Sequence, residues 1–413
     1  MPIAIRMLAL AALLAGTGRA AAQDGIPARD ARTALDSLGV VTHLDYSGTP
    51  YQQLDRVRSA LRHLGVRRVR DMIPDANVGP YEALARDGIR FNFVVRGGSI
   101  ESLEPAIRRL EDLERRFPGA IGSVEGLNEV NIWPASFQGL QQIPAAMAVQ
   151  RELHARVRKS TVLRSVPVYA LTLGGAGKAD FVRLGDLSDY ADMGNAHVYF
   201  DTRRPAETLD FATRLARTAT PRLEQLVITE TGYASAGQRG KAVDETVQAK
   251  YLLTLIAETW KRESPATFIY QLADDRDDPR NWSYNLGLYR FDWRPKTAAE
   301  ALHRFVRRIE EAAAAREGVD CGSQLTTPAR VSALWLRVPS GCLLLLWPEL
   351  SLWDDTANAP RSIPARRLSL DPQPAPRHLS LYDAFDGSER TLETMPGGFA
   401  IEIADRPVLV RWH

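Results

Sequence analysis

Two glutamates stand at positions where a strand-like apolar run gives way to small and polar residues. Glu129 lies within residues 124–131 and Glu230 within residues 226–233. Most glutamates are solvated surface groups, but a glutamate at the end of an apolar run is well placed for chemistry. A pair of carboxylates can protonate a departing oxygen with one member and attack carbon, or activate water, with the other. Cleavage of a glycosidic bond requires these two actions, so the pair predicts that chemistry.

Eight short β-rich runs, separated by longer helical patterns, supply the elements that would position the two glutamates. Repeated strand and helix units are typical of a parallel (β/α)8 barrel, or TIM barrel. The candidate strands occupy residues 40–46, 66–73, 89–97, 122–130, 166–173, 192–200, 226–233 and 266–274. The clearest helical patterns cover residues 101–117, 145–160, 244–263 and 297–315.

The barrel is expected over residues 23–317. Its fifth unit is the weakest, because only residues 179–187 offer a helix there. A doubly wound open sheet is the competing fold, but the glycine-rich dinucleotide fingerprint of that fold is missing after the first strand.

A parallel barrel brings the carboxyl ends of all its strands together in one cup. Glu129, at the end of the fourth run, and Glu230, at the end of the seventh, should therefore face each other. A carboxyl separation of about 5–5.5 Å would indicate a retaining mechanism, and about 6.5–9.5 Å an inverting one. A general acid must hold its proton near neutral pH, so we expect a raised pKa at Glu129.

Other side chains near the strand ends could contact a substrate. Arg70, at the end of the second run, cannot lose its charge and would favour the ionised form of a neighbouring Glu230. His197 and Tyr199 are two positions apart on the sixth run and point the same way, either into the cup or into a satisfied core. Three aromatic residues in loops beyond strand ends could stack on a sugar ring or simply pack: Tyr46, Trp133 and Trp282.

These residues carry a resemblance to a known superfamily. The chain resembles the clan A glycoside hydrolases, which are retaining (β/α)8 enzymes with an Asn-Glu acid/base after the fourth strand and a Glu nucleophile after the seventh. Within the clan it is most similar to family 39-like and family 5-like bacterial enzymes. The matching segments are residues 69–71, 126–129, 195–199, 228–233, 285–290 and 294–299.

The resemblance implies roles for single residues. Glu129 would be the acid/base and Glu230 the nucleophile, while Asn128 would hydrogen-bond the sugar 2-hydroxyl and Arg70 would steady the nucleophile. The segment with His197 and Tyr199 is where such enzymes place rings that contact the nucleophile or the substrate. Tyr233, which closes the nucleophile motif, joins the candidate substrate-binding residues.

The chain departs from the clan pattern at two positions. Val130 follows Glu129 where many of these enzymes have proline, and residues 270–275 contain no tryptophan where the eighth strand of these enzymes often ends in one. The platform under the sugar is therefore unassigned.

No metal site or other cofactor is predicted. The acidic run of residues 274–278 lacks the glycine and the terminal glutamate of a calcium loop, which favours a solvated loop. No His pair or His/Cys spacing predicts zinc.

Past about residue 318 the pattern changes to short alternating runs separated by proline and glycine. This is typical of a small antiparallel β-sandwich, which we expect over residues 318–413. The domain would cover the barrel or bind carbohydrate through its tryptophans, Trp347, Trp353 and Trp412. Cys321 and Cys342 are expected to form a disulfide, with two free thiols as the alternative.

Residues 1–22 are typical of a secretory signal. Arg6 precedes an apolar stretch over residues 7–16, and residues 20–22 offer a small-residue cleavage site. We expect a mature protein from about Gln23 that is periplasmic or extracellular and monomeric. The 52 basic and 50 acidic residues balance without a basic block, so no nucleic-acid partner is indicated.

The expected partner is a carbohydrate, either a β-linked polysaccharide or an oligosaccharide. Two alternatives to a secreted hydrolase stay open. A transglycosylase would use the same pair of glutamates and hand the sugar to another sugar. A binding protein would keep the fold without turnover, although the presence of both glutamates argues against it.

Overall fold

The structure is a computed structural model that describes residues 26–314, 330–339, 341–370, 379–395 and 398–412. Within these ranges the chain forms a parallel barrel followed by packed β-sheets. The signal sequence predicted over residues 1–22 and one cysteine of the predicted disulfide, Cys321, lie outside the described residues. Export and the disulfide therefore stay predictions. Among the helices that the structure describes, none combines the length and the apolar character needed to cross a membrane.

Eight parallel strands form one sheet that closes on itself. Strands one to five are neighbours in chain order. The sixth strand pairs with the seventh, the seventh with the eighth, and the eighth with the first. A bridge between Tyr169 and Met193 joins the fifth strand to the residue before the sixth and closes the ring. In order, the strands are Leu38–Val41, Arg68–Met72, Arg90–Val95, Ile121–Leu127, Val168–Tyr169, Gly194–Tyr199, Leu226–Gly232 and Thr267–Ile269. The predicted (β/α)8 barrel is confirmed.

Helices cover the outside of the barrel. They are Ala31–Asp36, Leu54–Leu64, Gly79–Arg86, Glu104–Arg116, Gln142–Lys159, Lys178–Leu184, Pro205–Ala216, Glu245–Lys261 and Thr297–Ala314. Helix Glu245–Lys261 begins after Asp244, whose carboxylate accepts the Val247 N–H at 2.7 Å and caps the helix. The helix after the fifth strand, Lys178–Leu184, has 7 residues, in agreement with the weak pattern at that unit.

Short elements order the loops at the carboxyl end of the barrel. A small sheet ties the loop after the third strand to the loop after the fourth, and its strands are Ser99–Ile100, Ser136–Phe137 and Leu140–Gln141. Two 3-10 helices, Pro50–Gln52 and Trp282–Tyr284, lie in the loops after the first and eighth strands. These loops form the rim of the cup.

A β-sandwich follows the barrel, as predicted. In spatial order, its larger sheet contains Ala28–Asp30, Val331–Val338, Gly341–Pro348, Val408–Trp412, Leu379–Tyr382 and Glu389–Thr391. The smaller sheet contains Arg366–Leu370, Gly398–Ile403 and Thr394–Met395. A two-stranded ladder joins Trp353–Asp354 to Ala359–Pro360. Apolar side chains between the larger and smaller sheets form their own core, which includes Leu344, Ile401 and Val410.

The other face of the larger sheet packs on the barrel. Leu343, Leu345 and Trp347 join the main apolar core, and Trp347 Nε1 donates a hydrogen bond to Glu258 Oε1 at 2.7 Å. Because Glu258 belongs to helix Glu245–Lys261, this contact fixes the sandwich to the outside of the barrel. Trp347 and Trp353 are buried, so the predicted stacking of sugars on these two rings does not fit the structure. The side chain of Trp412 lies outside the described part of the chain.

Candidate active site

The carboxyl ends of the fourth and seventh strands bring Glu129 and Glu230 together. One carboxylate oxygen of Glu129 and one of Glu230 lie within 4.8 Å of each other. Glu129 follows the fourth strand with a left-handed backbone, φ 42°, a conformation that residues other than glycine adopt at a cost. Glu230 lies within the seventh strand and is buried. The barrel therefore places the two predicted catalytic carboxylates face to face.

Three contacts hold Glu129 in place. Its backbone N–H donates to Thr172 Oγ1 at 3.0 Å, and its Oε1 lies 2.9 Å from His197 Nδ1. Gly174 packs against the carboxyl group, because a Cβ at that position would lie 2.5 Å from Glu129 Cδ. A side chain at residue 174 would therefore displace the carboxylate.

Glu230 accepts a hydrogen bond on each of its carboxylate oxygens. Arg70 Nη1 donates to Oε1 at 2.7 Å, and the Tyr199 hydroxyl donates to Oε2 at 2.7 Å. His197 Nδ1 lies 3.6 Å from Oε2, so the imidazole is within reach of both glutamates. These contacts fix the orientation of Glu230.

Arg70 is held in turn by Glu125, a buried residue of the fourth strand to which the sequence analysis gave no role. Arg70 Nε and Nη2 donate to Glu125 Oε2 and Oε1 at 3.0 and 2.8 Å, and Nη2 also donates to Asn128 Oδ1 at 2.8 Å. Asn92 Nδ2 donates to Glu125 Oε2 at 2.6 Å. One signal in the sequence could have identified Glu125: it is a charged residue inside an apolar strand, and a buried charge needs a partner.

The pKa values in the cup follow from this arrangement. Burial raises the pKa of the Glu129 carboxyl, but the hydrogen bond and charge of His197, together with the charge of Arg70, outweigh burial and lower it. The prediction of a raised pKa at Glu129 is therefore wrong. Burial also opposes the charge of Arg70, yet Glu125 and Glu230 raise the Arg70 pKa above its ordinary value.

Five aromatic rings line the side of the cup that is built by the first, sixth and eighth strands and their loops. The His43 ring stacks on Tyr46 with centroids 4.4 Å apart, and His43 Nε2 lies 3.1 Å from the Tyr270 hydroxyl. Tyr270 meets Tyr199 edge-on at 6.2 Å, and Tyr199 meets Trp282 edge-on at 6.4 Å. We call these five rings the aromatic wall. Tyr270 stands where the sequence left the sugar platform unassigned, and His43 was not predicted.

Two other predicted substrate-binding residues lie outside this wall. Trp133 follows Glu129 in the loop after the fourth strand and is 63% exposed. Tyr233 is buried, stacks between Phe200 and Tyr251, and donates its hydroxyl hydrogen bond to a backbone carbonyl. Contact between Tyr233 and a substrate therefore does not fit the structure, because its ring belongs to the core.

The acidic run after the eighth strand is only partly solvated. Asp274 is buried and pairs with Lys296 at 2.8 Å, and burial raises its pKa to about 6. The prediction of a solvated loop is therefore wrong for this residue. Asp275 is half-buried, and its Oδ1 has no hydrogen-bond partner among the described residues. Asp277 is exposed, as expected.

Glu129, His197 and Glu230 each present one ligand atom within 4.8 Å of the others, a spacing that could accept a cation. Arg70 already places positive charge 2.7 Å from Glu230, and Tyr199 donates to the other oxygen of that carboxylate. A cation at this position would be repelled by the guanidinium. The hydrogen bonds described above explain why these three side chains lie close together without a cation.

The fold is similar to that of solved glycoside hydrolases, although no protein-family model and no curated protein sequence matches the chain. A family 39 glycoside hydrolase from the gut symbiont Bacteroides cellulosilyticus WH2 gives a TM-score of 0.66 at 15% identity, over 94% of this chain and 82% of that one. A glucosidase from Croceicoccus marinus gives 0.57 at 13% identity, over 94% and 98%. A monomeric beta-xylosidase from Caulobacter crescentus CB15 gives 0.57 at 14% identity, over 94% and 97%. At these identities the similarity to the solved structures concerns the fold alone. That fold is the (β/α)8 barrel implied by the resemblance noted in the sequence.

Proposed function

We propose that the protein is a retaining β-glycosidase in which Glu129 is the acid/base and Glu230 the nucleophile. The observation that carries this proposal is the approach of the two carboxylates, each of which has an oxygen within 4.8 Å of an oxygen of the other. Retaining enzymes have carboxyl groups about 5–5.5 Å apart, whereas about 6.5–9.5 Å leaves room for the water of an inverting enzyme. The solved glycoside hydrolase, glucosidase and beta-xylosidase of similar fold lend support.

In the first step, Glu230 would attack the anomeric carbon of the sugar. Arg70 and Tyr199 hold its two oxygens, so little orientational freedom is lost on the way to the transition state. A bond forms between Glu230 and the anomeric carbon while the bond from that carbon to the leaving oxygen breaks. Glu129 gives its proton to the departing oxygen.

In the second step, Glu129 would act as the base. It takes a proton from water, whose oxygen attacks the anomeric carbon and releases Glu230. The lowered pKa of Glu129 suits this step, because a base must be ionised. The first step needs the proton back, and His197 Nδ1 lies 2.9 Å from the same oxygen.

Turnover of aryl β-glycosides and of β-linked oligosaccharides by the purified protein tests the proposal. Glu230→Gln should remain folded and lose at least ~10³-fold in turnover, since a neutral amide replaces the nucleophilic carboxylate. The matched control is Glu311→Gln, an exposed glutamate on helix Thr297–Ala314. Wild-type inactivity on the whole panel, or a Glu230→Gln variant as active as the control, would contradict the proposal. Mass spectrometry of the products separates hydrolysis from transfer, because transfer yields oligomers longer than the input.

We also propose that the enzyme acts outside the cytoplasm on a polysaccharide or oligosaccharide. The support is the signal-like composition of residues 1–22. N-terminal sequencing of the protein recovered from its native cells should give a start near Gln23. Recovery of an intact N-terminus in the cytoplasmic fraction would contradict export.

A further inference from the structure

The aromatic wall lies on the nucleophile side of the cup. Tyr199, one of its rings, donates to Glu230 at 2.7 Å, and the ring of His43 is close enough to Glu230 to interact with its charge. Glu129 is held instead by Thr172, in the segment after the fifth strand. A sugar whose anomeric carbon faces Glu230 and whose leaving oxygen faces Glu129 must therefore lie against the wall.

Several rings of the wall are accessible, and the titratable rings His43 and Tyr270 are uncharged near neutral pH. Tyr46 is 40% exposed, and Tyr270 and Trp282 are half-buried. Burial lowers the pKa of His43 to about 4, so its imidazole is neutral above about pH 5. Burial raises the pKa of Tyr270, so its hydroxyl is neutral as well. Flat neutral rings of this kind offer apolar faces on which a pyranose can stack.

Several of the ionisable groups around the wall are carboxyl groups. Burial raises the pKa of Tyr46, and the charges of Asp45, Asp71, Glu230 and Asp275 raise it further. Within the described residues, Asp275 Oδ1 is buried without a hydrogen-bond partner. Asp275 therefore adds a carboxyl group close to Tyr46 and Tyr270.

Most of the described cations near the wall already pair with carboxylates. The exception is Arg276, which forms no ion pair among the described residues; it is exposed and lies over the ring of Tyr284 at 5.0 Å. Three other described cations form ion pairs with N···O distances of 2.6–3.1 Å, namely Arg70 with Glu125 and Glu230, Arg96 with Asp45 and Asp75, and Lys296 with Asp274. A carboxylate carried by the sugar would therefore find Arg70, Arg96 and Lys296 already paired.

We propose that the subsite against the aromatic wall takes an uncharged sugar ring, a hexose or a pentose, and excludes a hexuronate. This inference rests on the proposed function. A hexuronate would bring its carboxylate out of water and beside Asp275 and Glu230, which costs free energy through desolvation and like-charge repulsion. A neutral ring keeps the stacking contacts and avoids both costs.

Matched substrates test this directly. The 4-nitrophenyl β-glucoside and β-glucuronide differ only at C6, as do the galactoside and the galacturonide, and the β-xyloside lacks C6. The best neutral substrate should exceed both uronides by at least ~100-fold in kcat/KM, because a buried like-charge contact costs several kcal/mol. Cleavage of either uronide as fast as its neutral match would overturn the proposal.

Binding to the Glu230→Gln variant separates this inference from the proposed function. Saturation-transfer NMR with phenyl β-glycosides should detect the neutral sugars and not the uronides, even if the wild type turned over none of them. Tyr46→Ala should weaken binding of the neutral sugar at least ~fivefold, and Tyr46→Phe should restore it. The control is Phe211→Ala, which removes an aromatic ring that is 61% exposed on helix Pro205–Ala216. Tighter binding of a uronide, no binding of any neutral glycoside, or equal effects of Tyr46→Ala and Phe211→Ala would overturn the proposal.

Discussion

Arg70 forms a two-point ion pair with Glu125, in which Nε and Nη2 donate to the two carboxylate oxygens at 3.0 and 2.8 Å. Both side chains are buried. The remaining terminal nitrogen, Nη1, donates to Glu230 at 2.7 Å. Glu125 therefore fixes the guanidinium that orients Glu230, and its negative charge offsets part of the positive charge beside it.

Glu125→Gln should disturb this arrangement without touching the sugar. Gln cannot accept two charge-assisted hydrogen bonds from Arg70, so Glu230 loses its fixed orientation. We expect kcat to fall ~10–100-fold with KM changed less than about threefold, and the free energy of unfolding to fall by about 3 kcal/mol.

The matched control for Glu125 is Glu258→Gln. Glu258 is also buried and bound to an arginine, Arg262, but it lies on the outer helix Glu245–Lys261. It should lose comparable stability while kcat stays near the wild-type value. Equal losses of kcat in the two variants, measured where both are folded, would show that Glu125 is merely structural.

Glu129→Ala should affect substrates according to their leaving groups. An alkyl or sugar leaving group needs a proton on the departing oxygen, whereas a dinitrophenolate does not. We expect a loss of ~10²–10⁴-fold on the former and a much smaller loss on the latter in the first step. The measurement is kcat/KM across a series of aryl and alkyl glycosides. A uniform loss across the series would remove Glu129 from the acid role.

His197→Asn should move the pH profile. The hydrogen bond and charge of His197 lower the pKa of Glu129, so removal of the imidazole should raise that pKa. The basic limb of kcat/KM reports the loss of the proton from the acid and should therefore shift to higher pH. The profile is best measured on a substrate with a poor leaving group. An unchanged basic limb, or a shift to lower pH, would contradict the assignment of the Glu129 and His197 pair.

Asp71→Asn should change how stability depends on pH. Burial raises the pKa of Asp71 to about 7, although the Leu44 N–H and the Thr42 hydroxyl donate to its Oδ2. An unfolded aspartate has a pKa of about 3.9, so the folded state holds the proton more tightly. The stabilisation is complete below about pH 4 and is lost as the pH rises to about 7, at up to about 1.4 kcal/mol per pH unit.

Urea unfolding of both proteins between pH 4 and pH 7 checks this prediction. Asn carries no charge at any of these pH values, so the variant should lack this part of the decline. Its stability relative to the wild type should therefore increase with pH. A difference that stays constant across the range would show that Asp71 does not titrate as its burial implies.

The sequence predicted the barrel because apolar runs of strand length alternate with amphipathic helices, and that pattern depends on near neighbours in the chain. It also predicted Glu129 and Glu230, since the carboxyl ends of parallel strands meet in one cup. The pairing of Ala28–Asp30 with Val331–Val338 had no such local signal, because the two strands lie about 300 positions apart.

The errors of the sequence analysis have physical causes. Residues three positions apart on a strand point to opposite faces, so Tyr233 points into the core while Glu230 points into the cup. The pKa of Glu129 depends on His197, which is 68 positions away. Whether a residue of the acidic run is buried depends on the partner that the fold brings to it. Asp274 meets its partner, Lys296, only in the folded chain, so the local sequence could not show this pair.

The stereochemistry of the first product tests the central claim most directly. If Glu230 forms a covalent bond to the sugar and water then displaces it, two inversions restore the original configuration. Proton NMR of the hydrolysis of an aryl β-glycoside should therefore show the β-anomer first, with the α-anomer appearing only as the product mutarotates. An α-anomer as the first product would contradict a glycosyl-enzyme on Glu230 and the retaining assignment of the pair.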